Sequence, residues 1–193
     1  HAAQDTKFLY SCRLAAAMAW CFIRQGDAIG LLAHGNRVVK YVPPSAQANQ
    51  FWRVVDTLED LKPHGPTRLG DALLKVAELS GRRSHVIILS DCLDFDGRLT
   101  GLARQLANRS HDVTIVHVLD RAEIEFPFGE VTRFEELESD QFLLVDPRAM
   151  RTEYLRQVES WRAQLKAELR EGNVNYLPVM TDDHVDHVMF EWL

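Results

Sequence analysis

Two apolar runs constrain this chain more than any other feature. Ser84 to Ser90 (SHVIILS) and Asp112 to Leu119 (DVTIVHVL) scarcely alternate between polar and apolar residues. A strand with one face in water alternates, whereas a strand covered on both faces does not. Between the runs, Leu99 to Asn108 carries helical spacing. Buried strands separated by helices of this kind argue for a doubly wound, mostly parallel sheet.

The rest of the chain keeps the alternation. Thr6 to Gln25 reads as a helix capped by Asp5 or Thr6 and stopped by Gly26, with Phe8, Cys12, Ala15, Ala19, Phe22 and Ile23 on one face. Asp27 to Ala33 is a short apolar strand and His34-Gly35-Asn36 a tight turn. Arg37 to Val42 returns as its partner, and Pro43-Pro44 ends that strand because proline cannot donate to a ladder. Ala46 to Leu61 is amphipathic, with Phe51, Val54, Val55 and Leu58 inward, and a further helix covers Leu69 to Leu79. Val131 to Val145 is ambiguous, an edge hairpin about Glu138-Ser139-Asp140 being one reading. Arg148 to Glu171 is a long helix with Tyr154, Leu155, Val158, Trp161, Leu165 and Leu169 as its seam and Gly172 as its stop. Asn175 to Met180 is the last strand and Asp183 to Trp192 the last helix. The expectation is one domain over residues 1–193: a three-layer α/β/α sandwich whose mostly parallel sheet has Arg37 to Val42 as an antiparallel edge strand.

Composition removes several functions. The 22 basic residues are spread among 28 acidic ones for a net charge of −6, with no basic stripe interleaved with aromatics, which argues against a nucleic-acid partner. No run approaches the ~20 apolar residues of a membrane span. Cys12, Cys21 and Cys92 sit in apolar settings without a CxxC pair, which points to reduced thiols and a cytoplasmic location.

In open α/β sheets, ligands bind outside the carboxyl ends of the strands. Two segments qualify: the loop Gly65-Pro66-Thr67-Arg68-Leu69-Gly70-Asp71 and the strand end Leu89-Ser90-Asp91. Each has a plain structural alternative. Thr67 can cap the helix at Leu69, Asp91 can cap a turn, and Asp71 complements a helix dipole. His64, Asp94 and Asp96 are possible rim residues around the same edge. Asp94-Phe95-Asp96-Gly97, with Asp182-Asp183 as a distal pair, mimics a haloacid-dehalogenase phosphohydrolase. Arg98 stands where that motif needs threonine, however, and the apolar strand ends at Ser90. His184 and His187 lack further metal ligands, Cys92 lacks a neighbouring His in sequence, and neither a Ser-His-Asp elbow nor a Walker loop occurs. A non-enzymatic binding module is the better expectation.

The ordered runs TKFLYSCRLAAAMAWCFIRQGDAIGLLAHG, GPTRLGDAL, SHVIILSDCLD and HDVTIVHVLDRAEIEFPF resemble the bacterial domain-of-unknown-function family 58 over nearly the whole chain. That resemblance implies a von Willebrand factor A-like (vWA) fold with a metal-ion-dependent adhesion site (MIDAS). Such a site combines Asp-x-Ser-x-Ser after the first strand, a Thr in a second loop and an Asp after a later strand. By position, Thr67 matches the second element and Asp91 the third. No D-x-S-x-S occurs in these residues, and the match begins just after its place. The resemblance therefore implies a first, central strand upstream of His1. Without it, backbone groups at the centre of the sheet would stay unpaired, so more chain or another molecule's strand is expected to fill the gap. Mg2+ or Mn2+, which take oxygen ligands, are expected in the full-length protein, and no metal in residues 1–193, where Thr67 and Asp91 alone would hold one feebly. The implied partner is a MoxR-type AAA+ ATPase with which the protein assembles or remodels others. A phosphohydrolase and a metal-free interaction scaffold are the alternatives.

Overall fold

The structure is a computed structural model and describes residues 6–35, 37–62, 68–81, 83–93, 97–128, 132–135, 142–145 and 147–192. Helix α1 (Lys7–Gln25) leads into an antiparallel pair, β1 (Ile29–His34) and β2 (Val38–Ser45). Helices α2 (Gln50–Glu59) and α3 (Leu69–Leu79) precede β3 (His85–Ser90), α4 (Leu99–Asn108) and β4 (Asp112–Leu119). A short α5 (Arg121–Glu125) and the antiparallel pair β5 (Thr132–Glu135) and β6 (Phe142–Val145) follow. The chain closes with α6 (Pro147–Glu171), β7 (Asn175–Met180) and α7 (Val185–Trp192).

The two apolar runs are β3 and β4, paired in parallel, with β7 parallel on the far side of β4. Helices cover both faces of this sheet, and alternation along β4 shows it. Val113 and Ile115 pack with Leu69 and Leu73 of α3, Leu99, Ala103 and Leu106 of α4, and Leu165 and Leu169 of α6. Val116 and Val118 face the other way, against Tyr10, Leu14 and Met18 of α1 and Val188 and Met189 of α7. A strand walled in on both sides is largely apolar on both faces, with Thr114 and His117 as the buried polar exceptions in β4, which accounts for the missing alternation.

The sheet is not continuous. The expected single sheet with one antiparallel edge strand is instead a three-stranded parallel sheet, β3-β4-β7, and a separate antiparallel pair, β1-β2. No ladder joins β1 to β3 among the described residues. Burial records the break: all of Val113 to Leu119 in β4 is buried, whereas in the equally apolar β3 only Val86 is. Side chains hold the two sheets together. Helix α1 lies across both, setting Tyr10, Leu14 and Met18 on the parallel sheet while Ala19 joins Ile29, Val42, Val54 and Leu58 over the antiparallel pair. On the opposite side, Leu32 of β1 packs against the cluster built on α3 and α4. The deepest face of α1 is thus not the one its apolar spacing suggested. Cys12, Ala15, Phe22 and Ile23 are only half-buried, against the antiparallel pair.

Two local departures have clear causes. β2 runs through Pro43-Pro44 to Ser45 instead of stopping before them. It is an edge strand, so missing N–H groups there break no second ladder. Opposite the prolines the register slips between Ile29 and Leu31, and Gly30 sits so close that a Cβ would come within 3.0 Å of Pro44. The buried Gln50 side chain, at the start of α2, supplies the missing donors: its Nε2 donates to the Ile29 carbonyl at 2.7 Å and to the Pro43 carbonyl at 2.8 Å. At the end of α6 the left-handed residue is Asn173 (φ 59), not Gly172. Gly172 is there for closeness, since a Cβ would lie 3.0 Å from Cβ of Arg104 on α4.

An interior strand should protect its amides and an open edge should not. Native-state hydrogen exchange on residues 1–193 should find β4 amides slowest and a subset of β1 and β3 amides, those turned toward each other, exchanging fast. Uniform protection along β1 and β3 would contradict the break in the sheet.

Candidate functional site

The carboxyl ends of β3 and β4 and the first turn of α1 meet at one edge of the parallel sheet. Thr6 caps α1, its hydroxyl accepting from Leu9 N–H at 3.2 Å, and the next residue is Lys7. An ammonium at a helix N-terminus opposes the helix dipole, and the first turn of α1 has no acidic residue to offset it. Other elements provide the offset. Lys7 Nζ donates to Asp91 Oδ2 at 3.3 Å and to Glu123 Oε1 at 2.6 Å. Asp91 follows β3 directly, and Glu123 belongs to α5, just beyond β4. Burial pulls the Lys7 pKa down, but the hydrogen bond to Glu123 and the charge of Asp91 outweigh it, so the ammonium is held above its ordinary value.

Each carboxylate is fixed by a second contact. Asp91 Oδ1 accepts from Leu93 N–H at 3.3 Å, and Ser90 Oγ accepts from Cys92 N–H at 3.0 Å. Cys92 itself is buried with φ 58, a left-handed conformation that few side chains adopt. Glu123 is half of a capping box: its Oε2 accepts from Asp120 N–H at 3.0 Å while Asp120 Oδ1 accepts from Ala122 N–H at 2.8 Å. Asp120 Oδ2 also accepts from the Thr181 hydroxyl at 3.2 Å, which ties the end of β7 to the end of β4.

Beneath this edge, on the α6 side of β4, lies the fully buried His117. Its Nδ1 is 2.7 Å from the Tyr176 hydroxyl, and its ring meets Trp161 edge-on at 5.4 Å. Burial, and then the charge of Arg162, push its pKa down from 6.5 to about 4, although Asp91 pulls the other way.

Of the residues singled out from sequence, Asp91 lies on this rim. Thr67, His64, Asp94 and Asp96 lie outside the described residues. The segment leading into α3 does reach the ends of neighbouring strands: Arg68 N–H donates to the Gly35 carbonyl, just after β1, at 3.0 Å. Asp71 pairs with Arg98, in the segment after β3, at 3.2 Å. Asp182 and Asp183 are in structural use, the first paired with Arg121 at 2.6 Å and the second accepting from Met180 N–H at 2.8 Å. His184 and His187 meet edge to face at 5.6 Å on an exposed surface, and Cys92 packs in the core.

Among the described residues, no group of three or more His, Cys, Asp or Glu side chains is placed to hold a metal ion. By themselves they do not fit a divalent cation, because the Asp91 and Glu123 carboxylates share the ammonium of Lys7. Sequence reasoning missed Lys7, Glu123 and His117. One signal was present, the Asp120-x-x-Glu123 spacing of a capping box. Nothing local marks Lys7, whose partners are 84 and 116 residues away.

His117 makes the fold acid-sensitive. Between pH 6.5 and about 4 the unfolded chain takes up a proton at this residue that the folded chain refuses. Stability is therefore full above that window and falls as pH falls through it, by at most about 3 kcal/mol. Urea denaturation at pH 7 and pH 4.5 should show a larger acid loss for the wild type than for His117→Gln. Equal losses would contradict this account of His117.

The family described as "Protein of unknown function DUF58" matches residues 2–164. Two solved structures are similar in fold. The conserved hypothetical protein BatB from Bacteroides thetaiotaomicron is 11% identical, with a TM-score of 0.57 over 93% of this chain and 82% of that one. An aerotolerance-related membrane protein from Bacteroides fragilis is 15% identical, with a TM-score of 0.58 over 93% of this chain and 85% of that one. At such identities the likeness is one of fold alone. No curated protein sequence matches the chain, and no described helix is long and apolar enough to cross a membrane. With the family's match spanning most of its length, the chain belongs to the DUF58 family of proteins of unknown function.

Proposed function

We propose that this chain is a protein-interaction module of vWA type, not an enzyme, that binds its partner at the carboxyl edge of the parallel sheet. One observation carries the proposal: Asp91 stands directly after β3 on that edge, beside charged groups from two other elements. This is where open α/β sheets take their ligands. In the complete domain a further strand lies between β1 and β3, making the two sheets one and the whole a three-layer α/β/α sandwich. The edges of β1 and β3, unpaired among the described residues, and the helices flanking both sheets support that placement.

In the full-length protein the edge would hold Mg2+ or Mn2+ as a MIDAS-like site, with Asp91, Thr67 and oxygen ligands from outside residues 1–193. Such a cation leaves a coordination position for a partner's carboxylate. The partner proposed is a MoxR-type AAA+ ATPase in the cytoplasm, acting in protein assembly or remodelling. His64, Asp94 and Asp96 would line the rim. The structural engagement of Asp182 and Asp183 gives no support to a phosphohydrolase.

Full-length protein should capture the ATPase from extract in a Mg2+-dependent manner, and Asp91→Ala should weaken both cation binding and capture by about tenfold or more, the cost of losing a close charge. Capture that is indifferent to both Asp91→Ala and chelation would sink the metal-assisted reading.

A further inference from the structure

We infer that the outer line of α1, with the aromatic cluster it shares with α2, docks peripherally on an anionic phospholipid surface. Leu9, Arg13, Trp20 and Arg24 recur on α1 at helical spacing. They fall within about 60° of one another and run about 22 Å along the helix. All four are exposed, Leu9 at 42% and Trp20 at 49%. Beside Trp20 stands Phe51 of α2, edge-on with ring centroids 5.1 Å apart, and Phe51 meets Trp52 in the same way at 5.1 Å. Trp52 is 61% exposed. A single exposed apolar side chain needs no explanation, but contiguous ones mark an interaction surface.

Charge indicates what covers this face. The chain carries 28 acidic residues against 22 basic ones, yet α1 has Lys7, Arg13 and Arg24 and no acid among its 19 residues. The Arg24 guanidinium lies 5.6 Å from the Trp20 ring centroid. Exposed Arg53 adjoins Trp52, its Nη1 donating to Gln50 Oε1 at 3.1 Å. The acids of α2, Asp56 and Glu59, come later along that helix, and Asp60 beyond it pairs with Lys40 at 3.8 Å. Negative charge elsewhere on the chain is screened beyond about 8 Å at physiological ionic strength, so a surface approaching this face meets arginines and indoles first. A protein hot spot gathers its anchors at the centre of a patch. Here they are strung along a helix with arginines between them, as in a helix lying in a bilayer interface. Leu9, Trp20 and Trp52 reach the acyl boundary while the guanidinium groups stay level with the lipid phosphates. Indole suits that depth, because its ring is apolar and its N–H can reach water. The contact is peripheral, since no described helix is long and apolar enough to cross a membrane. It adds a second surface and does not depend on what binds at Asp91.

Co-sedimentation with lipid vesicles tests the inference. Residues 1–193 should bind vesicles of equal parts phosphatidylglycerol and phosphatidylcholine, and bind pure phosphatidylcholine about tenfold more weakly or worse, the effect of two or three arginines at an anionic surface. Arg24→Gln should weaken binding about fivefold, whereas Lys75→Gln, the same change of net charge on α3, should leave it unaltered. Trp20→Ser combined with Trp52→Ser should abolish binding. In the unmutated chain, where loss of fold is no concern, phosphatidylglycerol brominated on its acyl chains should quench tryptophan emission. The inference is overturned by failure to bind the anionic vesicles, by binding that the double tryptophan variant retains, or by equal weakening in Arg24→Gln and Lys75→Gln. Self-association of the unmutated chain without lipid, in sedimentation velocity, that the double variant loses would also overturn it and assign the face to a protein contact.

Discussion

The whole arrangement depends on α1 lying across two sheets that share no ladder among the described residues. Backbone hydrogen bonds hold each sheet together, and among the described residues it is chiefly side-chain packing that holds one sheet to the other. Tyr10, Leu14 and Met18 anchor the helix to the parallel sheet, and burying the apolar Leu14 and Met18 side chains is worth roughly 1.5–3 kcal/mol each. Ala19 and its half-buried neighbours rest on the antiparallel pair. On that side the small residues Ala15, Ala16 and Ala19 let the helix come close. Gln50 secures the antiparallel pair itself to α2, donating to the Ile29 carbonyl of β1 and the Pro43 carbonyl of β2.

The same helix sets the chemistry of the rim. Its N-terminus is carried to the carboxyl edge of β3 and β4, so the first residue of α1 meets side chains far away in sequence. Packing and electrostatics are coupled there. The apolar face fixes where the helix begins, and that start decides which charge faces Asp91. The capping box of α5 does the corresponding work on the other side, turning Glu123 back toward the sheet while Asp120 and Thr181 tie β4 to β7.

Much of this was legible in the sequence because it is local. β4 and helices α3 and α4 fall at the boundaries expected from periodicity, and so does the position of Asp91 directly after β3. The exceptions depended on distant partners. The polar Tyr10 conceals the deeper face of α1, because a hydroxyl does not look like core until the whole ring is covered. Pro43-Pro44 marked a strand end only if β2 had to be paired on both sides. Lys7 carries no local signal, and His117, one imidazole in an apolar run, gives no hint of the tyrosine and tryptophan that surround it. The match of Thr67 to a second site element concerns a residue outside those described.

Among the described residues the parallel sheet β3-β4-β7 and the antiparallel pair β1-β2 share no ladder and are held together chiefly by side-chain packing. Equilibrium unfolding with two single-tryptophan versions tests this most directly, one keeping Trp52 on α2 beside the antiparallel pair and one keeping Trp161 on α6 against the parallel sheet. The Trp52 transition should come at lower denaturant than the Trp161 transition, or the chain should associate through the edges of β1 and β3. A monomer whose two probes report one coincident, fully cooperative transition would contradict it.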